Sequence, residues 1–275
     1  MVNILLIGCG KMGSALLDGW LENNVITSVK VVDPFLTDLQ KSRNITKVEF
    51  YNNLNNINKF NLSENLSMIV LAVKPQIMRN ILIDLKTNIL ISSPIMTIAA
   101  GLPISFYENI LGEEISLFRT IPNTPSSILK GVTAICNNKN CTEEQKLIAQ
   151  TLLKAVGKVV NIKKEDLMDS ATAISGSGPA YIFYLLEALV AAGVSAGLDE
   201  KVSLKLAKST LIGSSALLQK SEDDIATLRK AVTSPGGTTE AAIEVLSKNN
   251  NLFDLFEDAV IAARDRGREL ALTKE

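Results

Sequence analysis

The chain has 275 residues, of which 47% are apolar and 21% charged, with a formal net charge of −1 and no histidine at all. That length suits one large domain or two modest ones with real cores, and the balanced charge excludes the basic surface that nucleic acid or an anionic membrane would require. Cys9, Cys136 and Cys141 make no CxxC pair, and no histidine is there to complete a zinc set, so neither a metal site nor a disulfide framework is expected. Any chemistry must also manage without the commonest general base.

Met1-Val2-Asn3 leads straight into an apolar run with no basic leader and no cleavage site, which reads as a first strand rather than a signal peptide, with a cytoplasmic location as the expectation. Asn3–Ile7, Val29–Val32, Met68–Val73 and Ile95–Ala99 read as buried strands, and Met12–Glu22 between the first two reads as a helix. This βαβ rhythm predicts an α/β domain of the doubly wound, Rossmann type, a parallel sheet with helices on both faces, over residues 1–162. Ile115–Arg119, Val132–Cys136 and Lys158–Ile162 are later strands, and Thr142 with Gln145 forms a capping-box pattern that opens a helix through Val156. Seven of the fourteen residues from Asn52 to Asn65 are asparagine, which reads as a solvated surface loop. The sequons at Asn44, Asn61, Asn65 and Asn140 are read as by-products of that composition.

From residue 163 to 275 strand signals stop and helical patterns follow one another: Glu165–Ile174, Pro179–Ser195, Asp199–Lys220, Glu222–Val232 (with Ser221 and Asp224 as a second capping box), Thr238–Lys248 and Leu252–Leu272. The all-α second half has a central helix that is apolar nearly all round. Ala180–Val194, interrupted by Glu187, is too short for a bilayer span, so a subunit interface and an obligate oligomer are expected instead.

Gly8-Cys9-Gly10-Lys11-Met12-Gly13 is a GxGxxG run that follows a predicted strand and opens a predicted helix, and Asp33 ends the next strand twenty residues after Gly13. Glycines at these positions allow a tight turn and close backbone approach to a pyrophosphate, whose charge suits the N–H groups of a helix start. A carboxylate at Asp33 suits a ribose 2′-hydroxyl and repels a 2′-phosphate, which leans to NADH; the nearest basic residues downstream are Lys41 and Arg43. The other reading is that Asp33 simply caps the strand end at Asp33-Pro34. Ala72-Val73-Lys74-Pro75 ends a buried strand, where ligands of such sheets lie, and Lys74 either holds a cofactor phosphate or ribose or stands solvated. Ala99-Ala100-Gly101 leaves room for a flat nicotinamide ring or is plain packing. Asn123, held in the stiff Pro122-Asn123-Thr124-Pro125 loop, is a candidate for the nicotinamide carboxamide or only part of a rigid turn. Ser234-Pro235-Gly236-Gly237-Thr238-Thr239 precedes a helix and makes an anion-binding corner or an ordinary N-cap; Ser234 and the N–H groups of Gly237 and Thr238 are its candidate carboxylate ligands.

Five segments together resemble pyrroline-5-carboxylate reductases, in order and spacing over nearly the whole chain: Gly8 to Gly13, Ala72 to Gln76, Pro122 to Pro125, Ser175-Gly176-Ser177-Gly178-Pro179-Ala180-Tyr181, and Ser234 to Thr239. The resemblance implies NADPH or NADH as cofactor and a Rossmann domain followed by a helical domain that interlocks in a homodimer, with rings of five dimers in prospect. It also implies reduction of the C=N bond of 1-pyrroline-5-carboxylate, and it assigns Thr239 the hydroxyl that reaches the imine nitrogen. Family members often carry a His-Pro step upstream of the Ser-Pro-Gly-Gly loop, in the region that reads Ser221-Glu222-Asp223-Asp224-Ile225 here, so any role of that histidine is absent. A hydroxyacid dehydrogenase of the same layout would need a base, and such enzymes resemble this chain but for a lysine on the long central helix; Pro179–Ser195 carries neither lysine nor histidine. A nucleotide sensor without turnover would leave the 234–239 loop defective, and it is complete.

Overall fold

The computed structural model describes residues 2–36, 46–57, 66–88 and 92–272. Lys41, Arg43, the sequons at Asn44, Asn61 and Asn65, and the asparagine-rich run beyond Ile57 lie outside the described residues. Contacts divide the chain into two compact units, Met1–Ser177 with Ala263–Glu275, and Gly178–Ala262.

The first unit is built on an eight-stranded sheet of order β3-β2-β1-β4-β5-β6-β7-β8. The strands are β1 (Asn3–Ile7), β2 (Ser28–Val32), β3 (Val48–Tyr51), β4 (Met68–Leu71), β5 (Ile95–Thr97), β6 (Leu117–Pro122), β7 (Gly131–Asn137) and β8 (Gly157–Asn161). Helices α1 (Lys11–Glu22), α2 (Pro75–Asn88), α3 (Ile104–Leu111) and α4 (Glu143–Lys154) connect them. Successive residues of β1 point to opposite faces, as the period of two in a strand requires. Leu5 and Ile7 join Met78, Leu82 and Tyr107 on one side, whereas Ile4 and Leu6 join Leu16, Trp20 and Leu152 on the other. Both faces are therefore covered, and the strands read as continuous apolar runs for that reason.

The expected parallel sheet has one antiparallel junction, between β6 and β7, after which β8 is again parallel to β7. Only a short 3₁₀ turn, Thr124–Ile128, joins β6 to β7, too little chain for the crossover a parallel pair needs. Helix α4 supplies that crossover for β7 and β8, and it opens on the expected capping box of Thr142 and Gln145. Edge strand β3 was not expected from the sequence.

The sequence reading starts the helical part at 163, and by contacts the residues from there to Ser177 group with the first unit. Arg119, buried on β6, reaches Glu165 and Asp169 at 3.0 and 2.9 Å, and Glu165 also accepts the N–H of Ile104, at the start of α3, at 2.7 Å. Asn123 donates to the carbonyl of Ser175 at 3.0 Å. These bonds fasten a composite helix, α5 (Met168–Ala171) running into a π turn over Thr172–Gly176, to the sheet. The 165–174 helix of the sequence reading is thus not a regular α-helix.

The second unit contains α6 (Gly178–Ser195), α7 (Glu200–Lys220), α8 (Ile225–Ala231), α9 (Thr238–Ser247) and most of α10 (Asn251–Leu272). Helices α6 and α7 form a hairpin: Asp199 caps α7, and Ser203 Oγ donates to the carbonyl of Val190 at 2.8 Å. A Cβ added at Gly193 would lie 2.2 Å from that same Oγ, so glycine is what lets the two helices meet. The expected capping box at Ser221 is absent. Asp224 is the N-cap of the shorter α8 and accepts from Thr227 N at 2.8 Å, while Ser221 Oγ accepts from Asp223 N instead.

No residue of α6 is buried, and Phe183, Tyr184 and Leu189 are half exposed or more. A helix this apolar and this bare in one chain requires a covering surface. Glu165–Ser195 meets the length and composition of a membrane span, among the described residues, contrary to the expectation that this region falls short.

Candidate active site

Strands β2, β1, β4, β5 and β6 run in the same direction, so the loops after them line one edge of the sheet. The order of connection reverses between β1 and β4, and a cavity of about 600 Å³ opens there, the place where doubly wound sheets bind ligands. Among the sequence-predicted residues it brings together Gly8, Cys9, Gly10, Asp33, Ala72, Val73 and Lys74. Lys11, Met12 and Gly13 form the first turn of α1 behind it, and Pro75 opens α2.

The glycines are required by contact. Gly8 has φ +93°, and a Cβ there would lie 2.6 Å from the carbonyl oxygen of Ala72. A Cβ at Gly13 would lie 2.2 Å from the carbonyl oxygen of Gly8, whereas one at Gly10 would meet nothing within 4 Å, leaving open space above the turn. Helix α1 starts on Gly10 with no side-chain cap, so its first N–H groups are left for an anion. This cradle fits a dinucleotide pyrophosphate.

Asp33 both closes the end of β2 and lines the cavity. Its Oδ2 accepts from Cys9 N at 2.6 Å and its Oδ1 from Phe35 N at 2.8 Å, so it caps the strand end and ties it to the glycine loop while still facing the cavity. Phe35, 88% exposed, stands at the rim. Asn52, Asn53 and Asn55 are exposed, as the solvated loop expected there would be, and with the buried Leu54 they also line the cavity, continuing from β3. The signal that could have revealed them is the alternation in Val48-Glu49-Phe50-Tyr51, which marks a strand delivering its next residues to the same edge.

Ala99, Ala100, Gly101 and Asn123 follow β5 and β6 on that edge but do not line this cavity. The Asn123 carboxamide is engaged inside the protein, donating to Ser175 O at 3.0 Å and accepting from Val132 N at 2.8 Å. It therefore holds the 122–125 loop to β7 and the π turn, the rigid-turn role that was the other reading of it. Cys136 and Cys141 offer no nucleophile. All three cysteines are buried, and desolvation pushes the Cys136 thiol up to about 12 and that of Cys141 to about 11, so neither of these two is a thiolate at neutral pH.

In the second unit the Ser234–Thr239 loop forms a tight turn before α9. Gly236 is left-handed, with φ +70°, Gly237 N donates to Ser234 O at 3.0 Å, and Gly237 is an N-cap without a side-chain cap. The expected use of the Gly237 N–H for a ligand is corrected by that bond. The N–H groups of Thr238 and Thr239, in the first helical turn, have no carbonyl partner in the helix and are the ones left for an anion. Helices α4, α7 and α8 all carry side-chain caps, and α3 borrows Glu165; α1 and α9 begin bare on glycine.

Fold and site together define a dinucleotide-dependent oxidoreductase with a helical second part. Residues 165–270 match the family profile described as pyrroline-5-carboxylate reductase dimerisation, and residues 3–100 match the one described as NADP oxidoreductase, coenzyme F420-dependent. The pyrroline-5-carboxylate reductase of Methanosarcina acetivorans is 36% identical over 269 residues, 96% of each chain. Among solved structures, that of the Coxiella burnetii pyrroline-5-carboxylate reductase matches with a TM-score of 0.89 at 33% identity, covering 98% of both chains. The Plasmodium falciparum pyrroline carboxylate reductase with NADP bound matches at 0.80 and 31%, again over 98% of both. The chain belongs to the pyrroline-5-carboxylate reductase family, and it is an NAD(P)H-using oxidoreductase.

Proposed function

We propose that this chain reduces the C=N bond of 1-pyrroline-5-carboxylate to L-proline, the last step of proline biosynthesis, and that the Ser234–Thr239 loop carries the substrate. The observation that supports this most is the glycine-started, uncapped α9 with hydroxyl residues on both sides of its turn, a shape suited to a carboxylate. The Ser234 hydroxyl and the N–H groups of Thr238 and Thr239 hold the carboxylate, and the Thr239 hydroxyl hydrogen-bonds the imine nitrogen. The bound nicotinamide supplies the hydride. Little else is asked of the protein: it orients the ring and steadies the nitrogen as it becomes an amine, and Thr239 or a water it holds delivers a proton when the imine arrives unprotonated. With racemic 1-pyrroline-5-carboxylate supplied, chromatography of the product on a chiral phase should give L-proline alone; a racemic product would remove the loop's role in selecting the configuration of the carbon that bears the carboxylate.

For the cofactor, Gly8, Cys9, Gly10 and the start of α1 (Lys11, Met12, Gly13) hold the pyrophosphate, Lys74 a phosphate or ribose, and Asp33 a ribose hydroxyl. Ala72, Val73 and Pro75 shape the floor, and Ala99, Ala100 and Gly101 flank the nicotinamide. The carboxylate of Asp33 favours NADH over NADPH. Asp33→Asn keeps an acceptor for one backbone N–H and removes the charge, so the NADPH to NADH ratio of kcat/KM should rise about tenfold, about 1.4 kcal/mol of relieved repulsion. An unmoved ratio would take Asp33 out of cofactor choice.

The bare apolar α6 is covered by a second copy, giving a homodimer in the cytoplasm, with five dimers in a ring as the further assembly, and with no membrane or nucleic acid partner. Light scattering across a dilution series should give no monomer mass; a folded monomer would contradict the obligate dimer.

A further inference from the structure

The loop before α9 contains an anion of its own. Glu240, in the first turn of α9, turns back so that its Oε2 accepts from Gly236 N at 2.6 Å. That N–H belongs to the left-handed residue of the turn, φ +70°, where a Cβ would meet nothing within 4 Å. The next N–H, of Gly237, is taken by Ser234 O at 3.0 Å. Two adjacent glycines are the most costly residues to order, and the carboxylate bond is the one side-chain hydrogen bond to this pair among the described residues.

We infer that Glu240 is a positioning residue for the reaction, holding the Ser234–Gly237 turn in its substrate-receiving shape by accepting the Gly236 N–H. The inference rests on the proposed placement of the substrate carboxylate at this loop. By occupying Gly236 N, Glu240 removes that donor from competition and leaves the Thr238 and Thr239 N–H groups as the seat for the substrate carboxylate. It acts before substrate arrives, by preorganisation, so its loss weakens binding of the imine and spares the chemical step and the cofactor. The role belongs to the acceptor atom and its reach. Glutamine retains both, aspartate keeps the charge but is one methylene too short, and alanine loses everything. A general attraction between a negative charge and the helix start would rank these differently, sparing aspartate and not glutamine.

The test is steady-state kinetics of the whole oligomer with 1-pyrroline-5-carboxylate varied at saturating reduced cofactor, for Glu240→Ala, Glu240→Asp and Glu240→Gln, beside Ser234→Ala. Glu240→Ala and Glu240→Asp should each raise KM for the imine about tenfold, the scale of one lost charge-assisted hydrogen bond, with kcat and the KM for cofactor within about twofold. Glu240→Gln should restore KM to within about threefold of the parent chain. Loss in Glu240→Gln with retention in Glu240→Asp would overturn the acceptor role in favour of a charge effect. If Ser234→Ala raises KM and no Glu240 variant does, the inference fails alone; if none of the four changes KM, the placement of the substrate at this loop fails with it.

Discussion

Replacing Thr239 by Val should lower kcat by about 10²-fold while the dissociation constant for NADH, measured by fluorescence titration, moves by less than about twofold. Valine matches threonine in shape, so the change removes one hydroxyl and little packing. The residue is half-buried at the second position of α9, where loss of a hydroxyl leaves the helix intact. The size follows from the chemistry. A chain without histidine has few groups able to pass a proton to the imine nitrogen, and the Cys136 and Cys141 thiols are held in their neutral form by desolvation. The deficit should deepen as pH rises, because an imine that arrives protonated needs no donor and an unprotonated one does. A kcat within about threefold of the parent chain at every pH would remove Thr239 from the chemical step.

The second large effect is on stability. Arg119→Met, in the middle of β6, should destabilise the first unit by on the order of 3 kcal/mol. Arg119 is 4% exposed, and its guanidinium faces the carboxylates of Glu165 and Asp169 at 3.0 and 2.9 Å. Methionine replaces its stem, but it leaves two carboxylates without their cation, and that residue of unpaired charge is what costs stability. The side chain of Glu165 is 32% exposed, so water relieves part of the penalty, which sets the expectation at the lower end of the range for broken buried pairs. The triple change Arg119→Met, Glu165→Gln, Asp169→Asn removes every charge and should recover most of the loss. Thermal unfolding at one fixed protomer concentration compares the variants, since association contributes to apparent stability. Equal midpoints for the single variant and the parent would show that the cluster does not hold the 165–177 segment to the sheet.

That segment also shows where the sequence was legible and where it was not. Gly8 to Gly13 with Asp33 identified the cofactor cradle because each glycine answers a local demand, a positive φ at Gly8 and a backbone contact at Gly13, and local demands are written in local sequence. The strands were visible because burial on both faces makes them continuously apolar. Edge strand β3 was missed because none of its residues is fully buried, and with it the fact that Asn52 to Asn55 wall the cavity. That residues 163–177 pack with the first unit was not legible, because it depends on Arg119 finding Glu165 and Asp169, 46 and 50 residues away, a pairing that no periodicity announces. Asn123 was seen as important for its setting between two prolines, but its partners, Ser175 and Val132, could be found only in three dimensions. Glu240 was invisible for a similar reason: only the positive φ of Gly236 turns that N–H toward the first turn of α9.

The most direct test of the account is the loss of absorbance of reduced nicotinamide when 1-pyrroline-5-carboxylate is added to the folded oligomer, run in parallel with NADH and NADPH. The account predicts rapid, substrate-dependent oxidation, faster with NADH. No oxidation of either cofactor by protein that still binds nucleotide would contradict it.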